Sequence, residues 1–139
     1  MKRIRDEKGA ALLEAAITVP IILLISVGIF EFGRAYQHQQ VLTNAAREGA
    51  RIAVIEGTSD EAIRARVNEY VKSGGLTKLT DADIVIQRAV AMTGTTASSV
   101  EVMYPFDFMV LKPVVRLISP GDNLGSRITM KAKTLMRNE

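Results

Sequence analysis

Glu14 poses the sharpest chemical question in this chain. It stands in "KGAALLEAAITVP", five residues past Gly9 and inside an apolar run, where an ionised carboxylate costs several kcal/mol on insertion scales. Two readings of it stay open. Glu14 either reaches back to the interface or stays protonated and has no task, or it gains a cationic partner that only an assembly supplies. A free α-amino group made by cutting between Gly9 and Ala10, presented by a staggered neighbouring copy, would be such a partner. The other groups that could do chemistry are sparse. His38 is the sole histidine and there is no cysteine, so a catalytic triad, a multi-histidine metal site and a thiolate site are all excluded. His38 lies in Gln37-His38-Gln39-Gln40 and reads as a solvated helix position. Asp81 and Asp83 in "LTDAD" could form an acid pair or a metal site, but before a strand they read as a turn. No Gly-rich phosphate loop of the G-x-x-x-x-G-K type occurs. The expectation is a non-enzyme with no cofactor and no metal.

The element that carries Glu14 runs from Ala10 to Phe30, and its only polar members are Glu14, Thr18 and Ser26. As a helix it would span about 30 Å, enough for the hydrocarbon core of a bilayer. It is longer than the apolar core of a secretory signal, and Glu31-Phe32-Gly33-Arg34 follows with no small-x-small cleavage site, so it reads as an anchor. Lys2, Arg3, Arg5 and Lys8 precede it, and only Arg34 lies close behind. That asymmetry expects the N-terminus in the cytoplasm and the bulk of the chain across the membrane. The net charge is +3, of which the first eight residues carry +2, so no basic surface is left for nucleic acid. Pro20 would remove one backbone donor mid-span, a fault that membrane helices tolerate.

Residues 31–56 show no turn signal and continue the helix. Val41, Leu42, Ala45, Ala46, Gly49, Ile52 and Ala53 recur at spacings of three and four, with Asn44, Arg47, Glu48 and Arg51 at the sides. The small residues Ala45, Ala46, Gly49 and Ala53 admit a close neighbour, either the chain's own domain or a helix of another subunit.

These residues resemble, in order and spacing, the TadE-like proteins of tight-adherence pilus systems: Gly9-Ala10-Ala11-Leu12-Leu13-Glu14, Pro20, Gly28-Ile29-Phe30-Glu31-Phe32-Gly33-Arg34, and Leu42-Thr43-Asn44-Ala45-Ala46-Arg47-Glu48-Gly49-Ala50-Arg51. The resemblance covers about Gly9 to Val54. It implies a structural or assembly component of a bacterial adhesive pilus, a pseudopilin or minor pilin in the inner membrane. Its partners would be the membrane, other pilin-like subunits and pilus platform proteins. In processed members a prepilin peptidase cuts after the glycine, here Gly9, and the glutamate five residues on, here Glu14, belongs to its recognition motif. Those members follow that glutamate with an aromatic residue, and this chain has Ala15. The alternative is a permanently anchored extracytoplasmic binding module that enters no pilus.

The chain thus divides into a basic cytoplasmic leader at 1–9, a transmembrane helix at 10–30, a helical continuation at 31–56 and an extracytoplasmic α+β domain at 57–139. In the last, Thr58-Ser59-Asp60-Glu61 reads as a helix start, with Thr58 as cap and Glu61 closing a capping box. Ile63, Val67, Tyr70 and Val71 form its apolar stripe, and Ser73-Gly74-Gly75 ends it. Strands are expected at 84–90, 98–108 and 126–137, the middle one with Val100, Val102, Tyr104, Phe106 and Phe108 on one face and Pro105 at an edge or bulge. The fold class is α+β, a long N-terminal helix followed by one helix on a three-stranded antiparallel sheet. The apolar connector "MVLKPVVRLISPGDN" reads as a short helix over the sheet, or as an exposed patch for a partner or the membrane surface. A Ser-Pro-Gly-Asp turn closes it.

Overall fold

The computed structural model describes residues 2–118 and 127–138, and the expected Ser119-Pro120-Gly121-Asp122 turn lies outside them. The fold is the expected α+β one: a long N-terminal helix, then a small domain with a three-stranded antiparallel sheet. Helix α1 is Lys2–Ala53, 52 residues that continue through Pro20. It ends at Ala53, and Val54 to Gly57 form turns in which Ile55 N–H donates to the Ile52 carbonyl and Gly57 sits at φ 80°. The remaining elements are α2 (Asp60–Ser73), a 3-10 turn (Asp81–Asp83), β1 (Ile84–Met92), β2 (Thr95–Phe106), α3 (Leu111–Ile118) and β3 (Ile128–Arg137). The chain divides into two compact units, Met1–Gly33 with Phe108–Gly125 and Arg34–Asp107 with Ser126–Glu139.

In the second unit the core lies where the C-terminal half of α1, α2 and the sheet meet. Leu42, Ala45, Ala46, Ala50 and Ala53 are buried in one cluster with Ile63, Val67 and Val71 of α2 and Ile84, Val100, Val102, Tyr104 and Ala132 of the strands. Small residues on the helix are what allow that approach. A Cβ built on Gly49 would stand 2.6 Å from Val67 Cγ2 and 3.1 Å from Val100 Cγ1, so α1 touches both neighbours at a point that has room only for hydrogen.

The start of α2 differs from the expected one by a residue. Its cap is Ser59, whose Oγ accepts from Ala62 N–H at 3.3 Å, while the Thr58 carbonyl accepts from Arg88 at 2.6 Å. With Ser59 as cap the third helical residue is Ala62, so Glu61 cannot close a capping box. The far end is a Schellman turn. Leu76 N–H bonds the Val71 carbonyl, Gly75 N–H bonds Lys72, and Gly75 takes the required left-handed conformation at φ 82°.

The sheet order is β1-β2-β3. Alternation along β2 buries Val100, Val102, Tyr104 and Phe106 on the core face. Pro105 pairs with Thr129, beyond Ile84↔Val102, the last pair with β1 in that direction. The strand is therefore at a sheet edge there, where a residue without N–H is tolerated. Between Gln87↔Ser99 and Val90↔Ala97 the register gains one residue on β1, a bulge that holds Ala89 at φ 55°. The bulge also carries Arg88, which pairs with Asp60 at 2.8 Å at the start of α2.

Candidate functional site

Among the described residues, the apolar side chains in the first half of α1 are left exposed. Leu12, Leu13, Ile17, Leu23, Leu24 and Ile29 are all more than half exposed. It is a helix long and apolar enough to cross a membrane, and none of its most apolar stretch is buried. In hydrocarbon every polar group needs an internal partner, and Ser26 has one: its Oγ donates to the Ile22 carbonyl at 2.8 Å. Gly9, Ala10 and Glu14 are exposed along the same helix, and a Cβ at Gly9 would meet nothing within 4 Å. The structure thus brings none of the three residues expected for processing and assembly against another part of the fold.

The apolar run ends at a carboxylate with a defined task. Glu31 is buried, and its Oε1 accepts from Val110 N–H at 2.5 Å and Leu111 N–H at 3.3 Å. Those amides open α3, and a carboxylate there satisfies free donors and faces the positive end of the helix dipole. The connector thus forms a short helix, and within its unit that helix is tied at its first turn to α1 rather than to a strand.

Further along, Arg34 lies over the Phe106 ring at 5.2 Å from its centroid. His38 departs from the expected solvated position. Its ring meets Tyr104 and Phe106 edge-on, with centroids 5.8 and 5.2 Å away, and its Nδ1 is buried without a hydrogen-bond partner. Burial, and secondly the Arg34 charge, lowers its pKa from the ordinary value, so it packs as a neutral ring. The glutamines around it gave no hint of this, because the aromatic residues it meets are nearly 70 positions away in the sequence.

Glu48 accepts from two arginines on two helices. Arg51 grips it with Nε at 3.0 Å and Nη2 at 2.8 Å, and Arg66 of α2 adds Nε and Nη2, each at 3.2 Å. Hydrogen bonds from Arg51 first, and then from Arg66, hold its pKa at about 2 against their attendant burial cost. This fork links α1 to α2.

The remaining expected positions are accounted for inside the domain. Ala45, Ala46, Gly49 and Ala53 are buried in its core, so the chain's own domain occupies that stripe. Asp83 accepts from the Thr80 N–H and hydroxyl, and Asp81 accepts from Asn68 at 2.8 Å. Among the described residues no group of three or more histidine, aspartate or glutamate side chains could hold a metal.

Among the described residues, fold and site together define one candidate membrane-crossing helix and a small α+β domain. A family model described as TadE-like protein matches residues 9–51, so the resemblance carried by Gly9 to Arg51 is borne out over that segment. No curated protein and no solved structure matches. The matched segment holds the exposed apolar helix and also Glu31, Arg34 and Glu48, which join the helix to the rest of their own units, and Arg51, which grips Glu48 on the same helix.

Proposed function

We propose that this chain is a single-pass, membrane-anchored structural subunit of a tight-adherence pilus system, a TadE-like pseudopilin or minor pilin that packs with other pilin-like subunits and platform proteins through the first half of α1. Residues 1–9 are its cytoplasmic leader, 10–30 its span, 31–56 a continuation that is helical as far as Ala53 and 57–139 its extracytoplasmic domain. The supporting observation is that the TadE-like segment, residues 9–51, includes an apolar helix half that none of the described residues buries. Glu14 marks register: in a bundle of copies it meets the α-amino group of Ala10 from a staggered neighbour, and the two charges offset each other only there. This role is non-enzymatic.

Glu14→Ala then lowers the yield of helix-to-helix cross-links between copies in membranes and leaves insertion unchanged. Unaltered cross-linking would remove Glu14 from the assembly. Ala15, which replaces the aromatic residue of processed relatives, favours a second reading, a subunit that stays anchored with its leader intact. Intact-mass measurement on protein from cells with and without the prepilin peptidase separates the two. Loss of residues 1–9 only with the peptidase supports processing, and a full-length chain in both supports permanent anchoring.

A further inference from the structure

We infer that α3 lies on the membrane surface beside the span and binds anionic phospholipid headgroups. This rests on α1 crossing the bilayer, and three observations within one compact unit carry it. The first is position. Glu31 is the first polar residue after the apolar run Ala10–Phe30, so it marks the boundary between hydrocarbon and headgroups, and its carboxylate holds the first amides of α3 at that level. The second is composition. The exposed side of α3 presents Pro113 and Arg116, and Lys112, one turn before Arg116, is part-exposed, while Met109 just ahead of the helix is 61% exposed. Cations beside an apolar side chain are what an interfacial helix uses, the cations reaching phosphates and the apolar group entering the acyl boundary. The third is charge. Among the described residues neither Lys112 nor Arg116 is paired with a carboxylate, and with Phe108, Met109 and Pro113 they line a shallow concavity of about 590 Å³. Two basic side chains beside a membrane anchor are complementary in charge to anionic lipid.

The chain has no tryptophan, so Met109→Trp introduces a single indole at the patch. The full chain carrying it is reconstituted in nanodiscs of phosphatidylcholine, with and without phosphatidylglycerol. Expected are strong quenching by lipids brominated near the headgroup and protection from aqueous iodide, both greater with phosphatidylglycerol. Adding Lys112→Gln and Arg116→Gln shifts the indole toward iodide by about tenfold or more in the bound-to-free ratio, since each basic residue near an anionic surface contributes about fivefold. An indole open to iodide in both lipids overturns the inference, as does protection that ignores phosphatidylglycerol and the two substitutions. Protection that appears only when another pilus protein is added also overturns it and points to a protein partner. A separate Leu24→Trp variant isolates the premise. Its indole is quenched by brominated lipid in either membrane when α1 spans, so failure there sinks the membrane reading, whereas success there with an iodide-exposed patch sinks only the placement of α3.

Discussion

Residues 12–30 and 42–53 belong to one helix and differ in what their side chains require. The first set is mostly large and aliphatic, with Leu12, Ile17, Leu24 and Ile29 more than half exposed; the second keeps small residues on one stripe, with Leu42, Ala45, Ala46 and Ala50 fully buried. Large residues all round suit a uniform apolar solvent in which no particular neighbour is fixed. Small residues on a stripe suit one neighbour at a fixed, short distance. The difference teaches that the same secondary structure carries stability in one half and leaves its free surface to the surroundings in the other.

The largest test of that contrast is a pair of leucines. Leu42→Ala removes a fully buried side chain from the core and is expected to cost about 2–5 kcal/mol of domain stability. Leu24→Ala, on the exposed half, changes it by no more than about 0.5 kcal/mol. Thermal unfolding of the full chain in detergent measures both, and equal losses would mean that the two halves fold as one cooperative block.

Much of this arrangement was legible in the sequence because it is periodic. Val100, Val102, Tyr104 and Phe106 alternate, Ile63, Val67 and Val71 recur on a helical face, and Ala10–Phe30 is apolar but for Glu14, Thr18 and Ser26; the first two patterns follow from burial on one side, the third from an apolar surface all round. The long-range joints were not legible. Glu31 meets Val110 79 residues away, and Arg88 meets Thr58 and Asp60 through a bulge that no glycine announces. The cap of α2 fell on Ser59 rather than Thr58 because two adjacent hydroxyl residues carry the same local signal and the Arg88 contact settles which is outside the helix. For the candidate site, the motif residues Gly9 and Glu14 could be picked out, but their partners lie outside this chain.

A second pair uses glycines. Gly49→Ala places a Cβ 2.6 Å from Val67 Cγ2 and is expected to cost about 1–3 kcal/mol by overpacking, whereas nothing lies within 4 Å of a Cβ at Gly28. Gly28→Ala therefore leaves the unfolding midpoint of the domain unchanged. A stable Gly49→Ala protein would show that α1 can shift against Val67 and Val100, and that the close fit is not a constraint.

Glu48 gives the contrast a pH dependence. Its folded pKa of about 2 lies below the ordinary 4.5, so the unfolded chain takes up the proton first as pH falls. The Arg51 and Arg66 contacts thus contribute fully above about pH 4.5, weaken from there downward and are lost near pH 2. For a part-exposed network the contribution is on the order of 1 kcal/mol. Unfolding of the wild type and of Glu48→Gln from pH 6 to pH 3 should converge toward the acid end, and a constant gap between them would mean that the carboxylate's charge is not what stabilises.

The smallest effect asks whether constraint in the folded region extends to its backbone. Ala89 sits at φ 55° in the β1 bulge, a left-handed conformation that costs an L-residue roughly 1–2 kcal/mol and glycine nothing. Glycine also widens the unfolded ensemble, which takes back about 0.4–1 kcal/mol, so Ala89→Gly is expected to stabilise by about 0.5 kcal/mol. Ala91, two residues on in the same strand, pairs with Thr96 and is not among the residues with positive φ. There the same change has only the entropic cost, so Ala91→Gly destabilises by about 0.5–1 kcal/mol. Opposite signs at two neighbouring alanines, measured by thermal unfolding, would locate the effect in the bulge, because both are exposed and they differ in backbone angle and in the strand pairing that the bulge interrupts. Like signs would mean that β1 relaxes in solution to a register without the bulge, and Arg88 would then lose its aim at Asp60.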